Sequence, residues 1–347
     1  MNRLLNGLLV ALICGPYVSA TASPTEATWG EIQILHEQLA PGEKKKFSFM
    51  GERSFEGAFI DIPVFVAHGT SPGPRLCVTA AIHGDEVNSV EIARRVFAGM
   101  DPADLAGTLV VLPAVNALGF RTANRYLPDR RDLNRAFPGN RNGSVASIIA
   151  NAVFANVISS CSQLIDLHTG SNFRTNLPQI RVDTGDAAAM DLAIHFGVGI
   201  IVDGRGPKGS LRREAMDIGV PAIIYEAGPP YVFVESEIER GTAGVYNLMS
   251  HLGMTESAGQ AAAPKLLTNS SWLRVPVGQG GIYLPVVKLG DHVDEGQLVA
   301  TVVDPGTDVA NRILARNSGL IVGMALPQVV LSGYGLFHIG EVTEQPD

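Results

Sequence analysis

The chain has 347 residues, 46% of them hydrophobic and only 17% charged, so it can bury a large core and a second, smaller one and is not a disordered polymer. A net charge of −8 argues against nucleic acid or an anionic membrane surface as partner. Abundant Gly (38) and Pro (21) point to a loop-rich globular protein.

Residues 1–20 read as a signal peptide. Arg3 supplies a positive start, an apolar run follows from Leu4 to Cys14, Gly15-Pro16 breaks it, and Val18-Ser19-Ala20 offers small residues for cleavage. The run is too short to span a bilayer. The expectation is an exported protein, periplasmic or secreted, with no membrane span after signal removal. Cleavage leaves Cys77 and Cys161. An oxidising compartment permits a disulfide, but both lie in apolar stretches, and two buried free thiols are the expected state. No Cys-x-x-Cys pair exists to build a zinc knuckle.

Residues 58–67 alternate like a strand. Residues 75–82 form a continuous apolar run, the pattern of a strand buried on both faces. Helical spacing follows over 86–100, then a buried strand over 108–112. Residues 113–143 show no clear period and are rich in Asn, Arg, Pro and Gly; a connection that long in a compact domain is usually functional. Further on, helices are predicted over 144–159, 186–196, 210–218 and 235–252, with strands over 163–167, 199–202 and 221–225. This alternation predicts an α/β domain over 21–254, with a mixed, largely parallel central sheet and helices on both faces. Residues 255–271, small, polar and Ala-rich, read as a linker. Short strands between Gly-rich turns then predict a small all-β domain over 272–347.

Chemistry concentrates where buried strands end. In His83-Gly84-Asp85-Glu86 a strand stops, glycine permits a sharp turn and a helix begins, so both side chains can aim at one point. In Asp166-Leu167-His168-Thr169-Gly170 a second strand ends in histidine, with Asp166 on the same side of the strand and placed to orient the imidazole. His83, Glu86 and His168 together form a two-histidine, one-glutamate set of the kind that holds catalytic zinc and leaves a position for water. Glu226, at the end of an apolar strand beside Gly228, is the candidate general base and acid. Arg125, Asn134 and Arg135 on the long loop, with Arg212 on a later helix, are candidates to polarise a carbonyl or grip a carboxylate.

Taken in order, His83-Gly-Asp-Glu86, Asp132-Leu-Asn-Arg135 with Phe-Pro-Gly after Ala136, Asp166-Leu-His168 and Tyr-Glu226-Ala-Gly resemble the succinylglutamate desuccinylase/aspartoacylase family of the zinc metallocarboxypeptidase superfamily. The resemblance implies a zinc carboxypeptidase-like fold and one Zn2+ per chain on His83, Glu86 and His168. It also implies Glu226 as base and acid, Arg125 on the scissile carbonyl, and Asn134 with Arg135 on a substrate carboxylate. The later arginine that grips the acyl carboxylate in aspartoacylase-like members has no clear match; Met216 stands near its place. Residues 272–338 look like the barrel-sandwich domains related to biotinyl and lipoyl carriers, without the carrier lysine, which implies no attached cofactor and a role in shaping the mouth of the site or in assembly. The expected substrate is a small amide or peptide-like molecule, as an N-acyl amino acid deacylase would take. An exported carboxypeptidase or amidase on cell-wall-type peptides, and a non-catalytic exported binding protein, remain open, as does a homo-oligomer.

Overall fold

The computed structural model describes residues 29–53, 59–256 and 264–343; the signal-peptide reading of 1–20 lies outside them. A short hairpin, β1 (Ile32–Ile34) and β2 (Glu37–Leu39), comes first. Next come β3 (Lys44–Arg53), β4 (Phe59–His68), β5 (Ser71–Ala80), α1 (Val87–Gly99), β6 (Ala106–Leu112), α2 (Ala117–Arg121) and α3 (Val145–Asn156). The central part continues with β7 (Gln163–His168), β8 (Arg174–Val182), α4 (Ala187–Phe196), β9 (Ile200–Asp203), α5 (Leu211–Asp217), β10 (Ala222–Gly228) and α6 (Glu235–His251). The C-terminal part is all strand: β11 (Lys265–Arg274), β12 (Gly281–Pro285), β13 (His292–Val293), β14 (Leu298–Val303), β15 (Ala310–Leu314), β16 (Gly319–Ala325), β17 (Val329–Val330) and β18 (Gly335–Thr343).

The result is a mixed α/β fold whose main sheet runs β13-β16-β18-β11-β9-β8-β10-β7-β5-β6-β4-β3. Strands β6, β5, β7 and β10 are mutually parallel; β8 is antiparallel to β10, and β9 and β11 run parallel to β8. Residues alternate across this sheet. Leu76, Val78 and Ala80 enter one core with Ile92 and Phe97 of α1, Phe196 of α4 and Leu248 of α6. Cys77, Leu164 and Ala222 enter the opposite core with Ile149 and Val153 of α3 and Leu211 of α5. Helices therefore cover both faces, as the apolar strand runs require.

Among the strands with no sequence signal, β3 and β8 are the most instructive. β3 begins Lys-Lys-Lys and forms the far edge of the sheet, where lysines discourage pairing with another chain and leave no apolar run to read. β8 carries Arg174, Asn176, Gln179 and Arg181, so it looks like polar loop; Arg174, Asn176 and Arg181 are there because they line the cavity.

The linker reading also changes. Residues 265–271 are the first part of β11, which pairs parallel with β9 and antiparallel with β18. Its Thr, Asn and Ser side chains face outward while Leu267 is buried, so small polar composition mimics a linker. The C-terminal strands are likewise not a detached body. β16 pairs with β8 at Asn176, Thr175 and Arg174, closing β8, β9, β11, β18 and β16 into a five-stranded ring. A separate four-stranded sheet, β15-β14-β12-β17, completes this part. Residues 286–289 form a bend that leads into a turn. Among the described residues no helix is long and apolar enough to cross a membrane.

Cys77 and Cys161 are bonded to each other, which corrects the expectation of free thiols. Cys77 lies on β5, Cys161 just before β7, and the two strands are parallel neighbours, so the buried sulfurs meet across the ladder.

Candidate active site

The sheet delivers its polar residues through register. Along β7, Leu164, Asp166 and His168 share one face; along β10, Ala222, Ile224 and Glu226 share the same face, with Glu226 directly beside His168. On β8, Arg181 sits opposite Ile224 and so projects to that face as well. A one-residue slip in either strand would bury the wrong row.

His83 follows β5 in the turn before α1. Gly84 is needed there for close approach, not for an unusual φ: a Cβ would lie 1.9 Å from the Gly119 carbonyl carbon. The Gly84 N–H donates to the Asn124 carbonyl, so the long loop is fastened against the turn. Glu86 caps α1 and turns its carboxylate inward. His83 Nδ1 lies 2.7 Å from Glu86 Oε1, and His168 Nδ1 lies 2.7 Å from Glu86 Oε2. His83, Glu86 and His168, all buried, offer ligand atoms within 4.8 Å of one another, a group able to hold a metal ion.

The backs of both imidazoles are held. His168 Nε2 is 2.8 Å from Asp166 Oδ2, and Asp166 in turn accepts from the Thr79 hydroxyl. His83 Nε2 is 3.2 Å from Asp132 Oδ1. Protons on the two Nε2 atoms leave both Nδ1 lone pairs directed at the centre, the arrangement that fixes the tautomer of a ligating histidine. The other Asp132 oxygen accepts from Arg125 Nη2 at 2.8 Å, so one carboxylate positions both His83 and Arg125.

The electrostatics show what this cage demands. Burial opposes ionisation of Glu86, but the adjacent His83 and His168 hold its carboxyl far below the usual range. Burial likewise opposes a charged His168, but Asp166 and Glu86 raise its pKa well above the ordinary value. Asp132 is held far down, against its burial, by His83 and Arg125. Three carboxylates around two imidazoles thus call for positive charge, and a cation satisfies that demand with the Nδ1 protons displaced. Asp85 plays a different part. Fully buried, it accepts from the Ser171 hydroxyl and the Asn172 N–H and so ties the loop after β7 to the turn before α1; burial first, then Glu86, raises its pKa.

The cage opens into a cavity of about 450 Å³, within the usual range for small-molecule sites. Glu226 lines it, ion-paired with Arg181 Nε at 3.1 Å and hydrogen-bonded by the Asn176 amide. Arg212 is the feature that most clearly lacks a partner. It is 4% exposed and lines the cavity; Nη2 donates to the Gly204 carbonyl, while Nε and Nη1 are buried with no acceptor. Burial, then Arg181, pushes it down to about 10, so it stays charged at neutral pH. Arg212 lies one turn before Met216 on α5. Asn134 is partly committed: its side-chain oxygen accepts from the Leu211 N–H, fastening the start of α5 to the long loop and leaving only its NH2 to offer. Arg135 also lines the cavity, with one guanidinium nitrogen on the Asn134 carbonyl.

The remaining wall comes from elements the motif reading passed over. Arg174 lies over the rings of Tyr334 (4.3 Å) and Trp272 (5.2 Å), and Trp272 stacks on His338. Gly335 leaves room for the Trp272 indole, and Trp272, Arg274 and Gly335 line the same cavity as His83 and Glu226. Alternation of Arg181 with Ile180 and Val182 was the one available signal for β8.

Residues 72–252 match the succinylglutamate desuccinylase/aspartoacylase catalytic domain, and the chain belongs to that family. It is 24% identical over 312 residues to an N-alpha-acetyl-L-2,4-diaminobutyric acid deacetylase from Halomonas elongata, covering 86% of this chain and 91% of the relative. Its fold matches a crystal structure of a succinylglutamate desuccinylase from Silicibacter sp. TM1040 with a TM-score of 0.79 at 23% identity, covering 87% of this chain and 95% of the other. The product-bound ectoine utilization protein EutE from Ruegeria pomeroyi matches with a TM-score of 0.79 at 22% identity, covering 86% and 95%.

Proposed function

We propose that this protein is an exported zinc-dependent deacylase that hydrolyses the amide bond of an N-acyl amino acid or a similar small carboxylate-bearing amide. The observation that carries the reading is the convergence of His83 Nδ1, His168 Nδ1 and the Glu86 carboxylate on one buried point at the floor of the cavity. Two nitrogens and one oxygen suit zinc, and the held Nε2 atoms fit a ligating role. Zinc bound there supplies a Lewis acid and lowers the pKa of water towards about 7. Glu226 accepts a proton from the attacking water and returns it to the leaving nitrogen. Arg125, held by Asp132, polarises the scissile carbonyl; Arg212, with Asn134 and Arg135, takes a substrate carboxylate. The deacetylase relative supports N-acyl amino acids as the class to test first. The Cys77–Cys161 bond supports an oxidising compartment, in keeping with the signal-like start of the sequence.

The test is a screen of N-acetyl and N-succinyl amino acids beside short peptides, with metal content measured on the same samples. Cleavage of N-acyl amino acids with about one tightly held zinc per chain is expected. Cleavage of peptides alone would shift the reading to a carboxypeptidase, and zinc retention with no amide cleaved would favour a binding protein. Arg212→Met should raise KM for substrates with a free carboxylate and leave their methyl esters little changed.

A further inference from the structure

We propose that Asp191, His195 and His251 form a second metal site, on the surface, that takes a divalent transition-metal ion such as zinc and clamps the ends of α4 and α6 together. None of the three lines the catalytic cavity, so the proposal does not depend on the reaction assigned there. Their ligand atoms lie within 4.8 Å of one another. Asp191 Oδ2 is 2.7 Å from His251 Nε2, and Asp191 Oδ1 is 3.2 Å from His195 Nδ1. The His195 Nδ1 atom also lies 2.9 Å from the Asp191 carbonyl, as the one-turn spacing on a helix allows.

The imidazoles are stacked face to face, with centroids 3.4 Å apart and planes 7° from parallel, so one ring must turn before both can present a nitrogen to one ion. Both helices also end here: His195 is in the last turn of α4 and His251 is the last residue of α6. Two helix C-termini, each with partial negative charge, converge on the cluster and favour positive charge between them. The underlying contact is already tight, since Phe196 of α4 packs against Gly244 and accepts from the Asn247 amide of α6. A tetrahedral ion holds its donors roughly 3.3 Å apart; these exposed side chains can close that distance, with solvent completing the coordination.

The test is titration of chelator-stripped full-length protein with zinc chloride, read by equilibrium dialysis with elemental analysis and by thermal denaturation. Wild type should bind a tight equivalent and a weaker second one, and His251→Ala should bind the tight one alone. The His83→Ala, His168→Ala protein should keep the weaker equivalent, and its Tm should rise by several degrees with zinc, a rise that His251→Ala removes. Equal stoichiometry in wild type and His251→Ala overturns the proposal. So does the absence of any His251-dependent rise in Tm. Should the double variant fail to fold, the comparison of wild type with His251→Ala decides alone.

Discussion

His83, Glu86 and His168 are 4%, 1% and 3% exposed, whereas Asp191, His195 and His251 are open to solvent, although each group offers two imidazoles and one carboxylate. In the buried group each imidazole is gripped from behind by its own carboxylate, Asp166 or Asp132, and Glu86 is free to face both Nδ1 atoms. In the exposed group one carboxylate serves both rings, His195 is held further only by the Asp191 carbonyl, and solvent screens the charges. The difference teaches that the donor list alone does not make a catalytic centre; the backing residues and the cavity beside it do.

The largest effect should come from dismantling the buried group. His83→Ala with His168→Ala should remove the tightly held metal and nearly all amide hydrolysis, while Asp191→Ala with His251→Ala leaves turnover unchanged; elemental analysis and steady-state rates check both. Next, Glu226→Gln should retain the metal yet lower kcat by about 10²- to 10⁴-fold, which separates proton transfer from ligation. Removing the disulfide by Cys77→Ser with Cys161→Ser should cost about 2–5 kcal/mol of stability, read by urea denaturation, because the bond spans 84 residues in sequence. Asp166→Asn should weaken zinc about 10- to 100-fold, an effect with no counterpart at the exposed group. The smallest effect distinguishes the groups by proton release. Burial opposes a charged His168 but Asp166 and Glu86 outweigh it, so below its raised pKa the metal-free imidazole carries a proton that zinc must displace. Affinity at the buried group should therefore fall as pH falls, and calorimetry in buffers of different ionisation enthalpy should register protons released on binding.

Much of this was legible in the sequence because burial writes itself as apolar runs. Strands β5, β7 and β10 read plainly, and each ends in a residue whose polarity is out of place: the turn of His83, then His168, then Glu226. Asp166 followed from the two-residue period. What stayed hidden has physical causes. β8 gives Arg174, Asn176 and Arg181 to the cavity and so lost the look of a strand. Asp132 and Thr79 act through partners distant in sequence, which no spacing rule reveals. Trp272 and Arg274 reach the cavity only because β11 joins the main sheet, and the polar residues of β11 read as linker. The disulfide depends on two strands lying side by side in register, a fact of topology rather than composition.

The ring of β8, β9, β11, β18 and β16 bears on how the molecule can be cut and how it can move. β8 is bonded to β10 along one edge and shared between β16 and β9 along the other, so the Trp272 side of the cavity is welded to the ligand-bearing sheet and cannot swing as a hinged lid. A protein ended at residue 254 would not be a smaller hydrolase. It would be a sheet with the outer edges of β8 and β9 stripped bare, prone to recruit its neighbours in place of the strands it had lost.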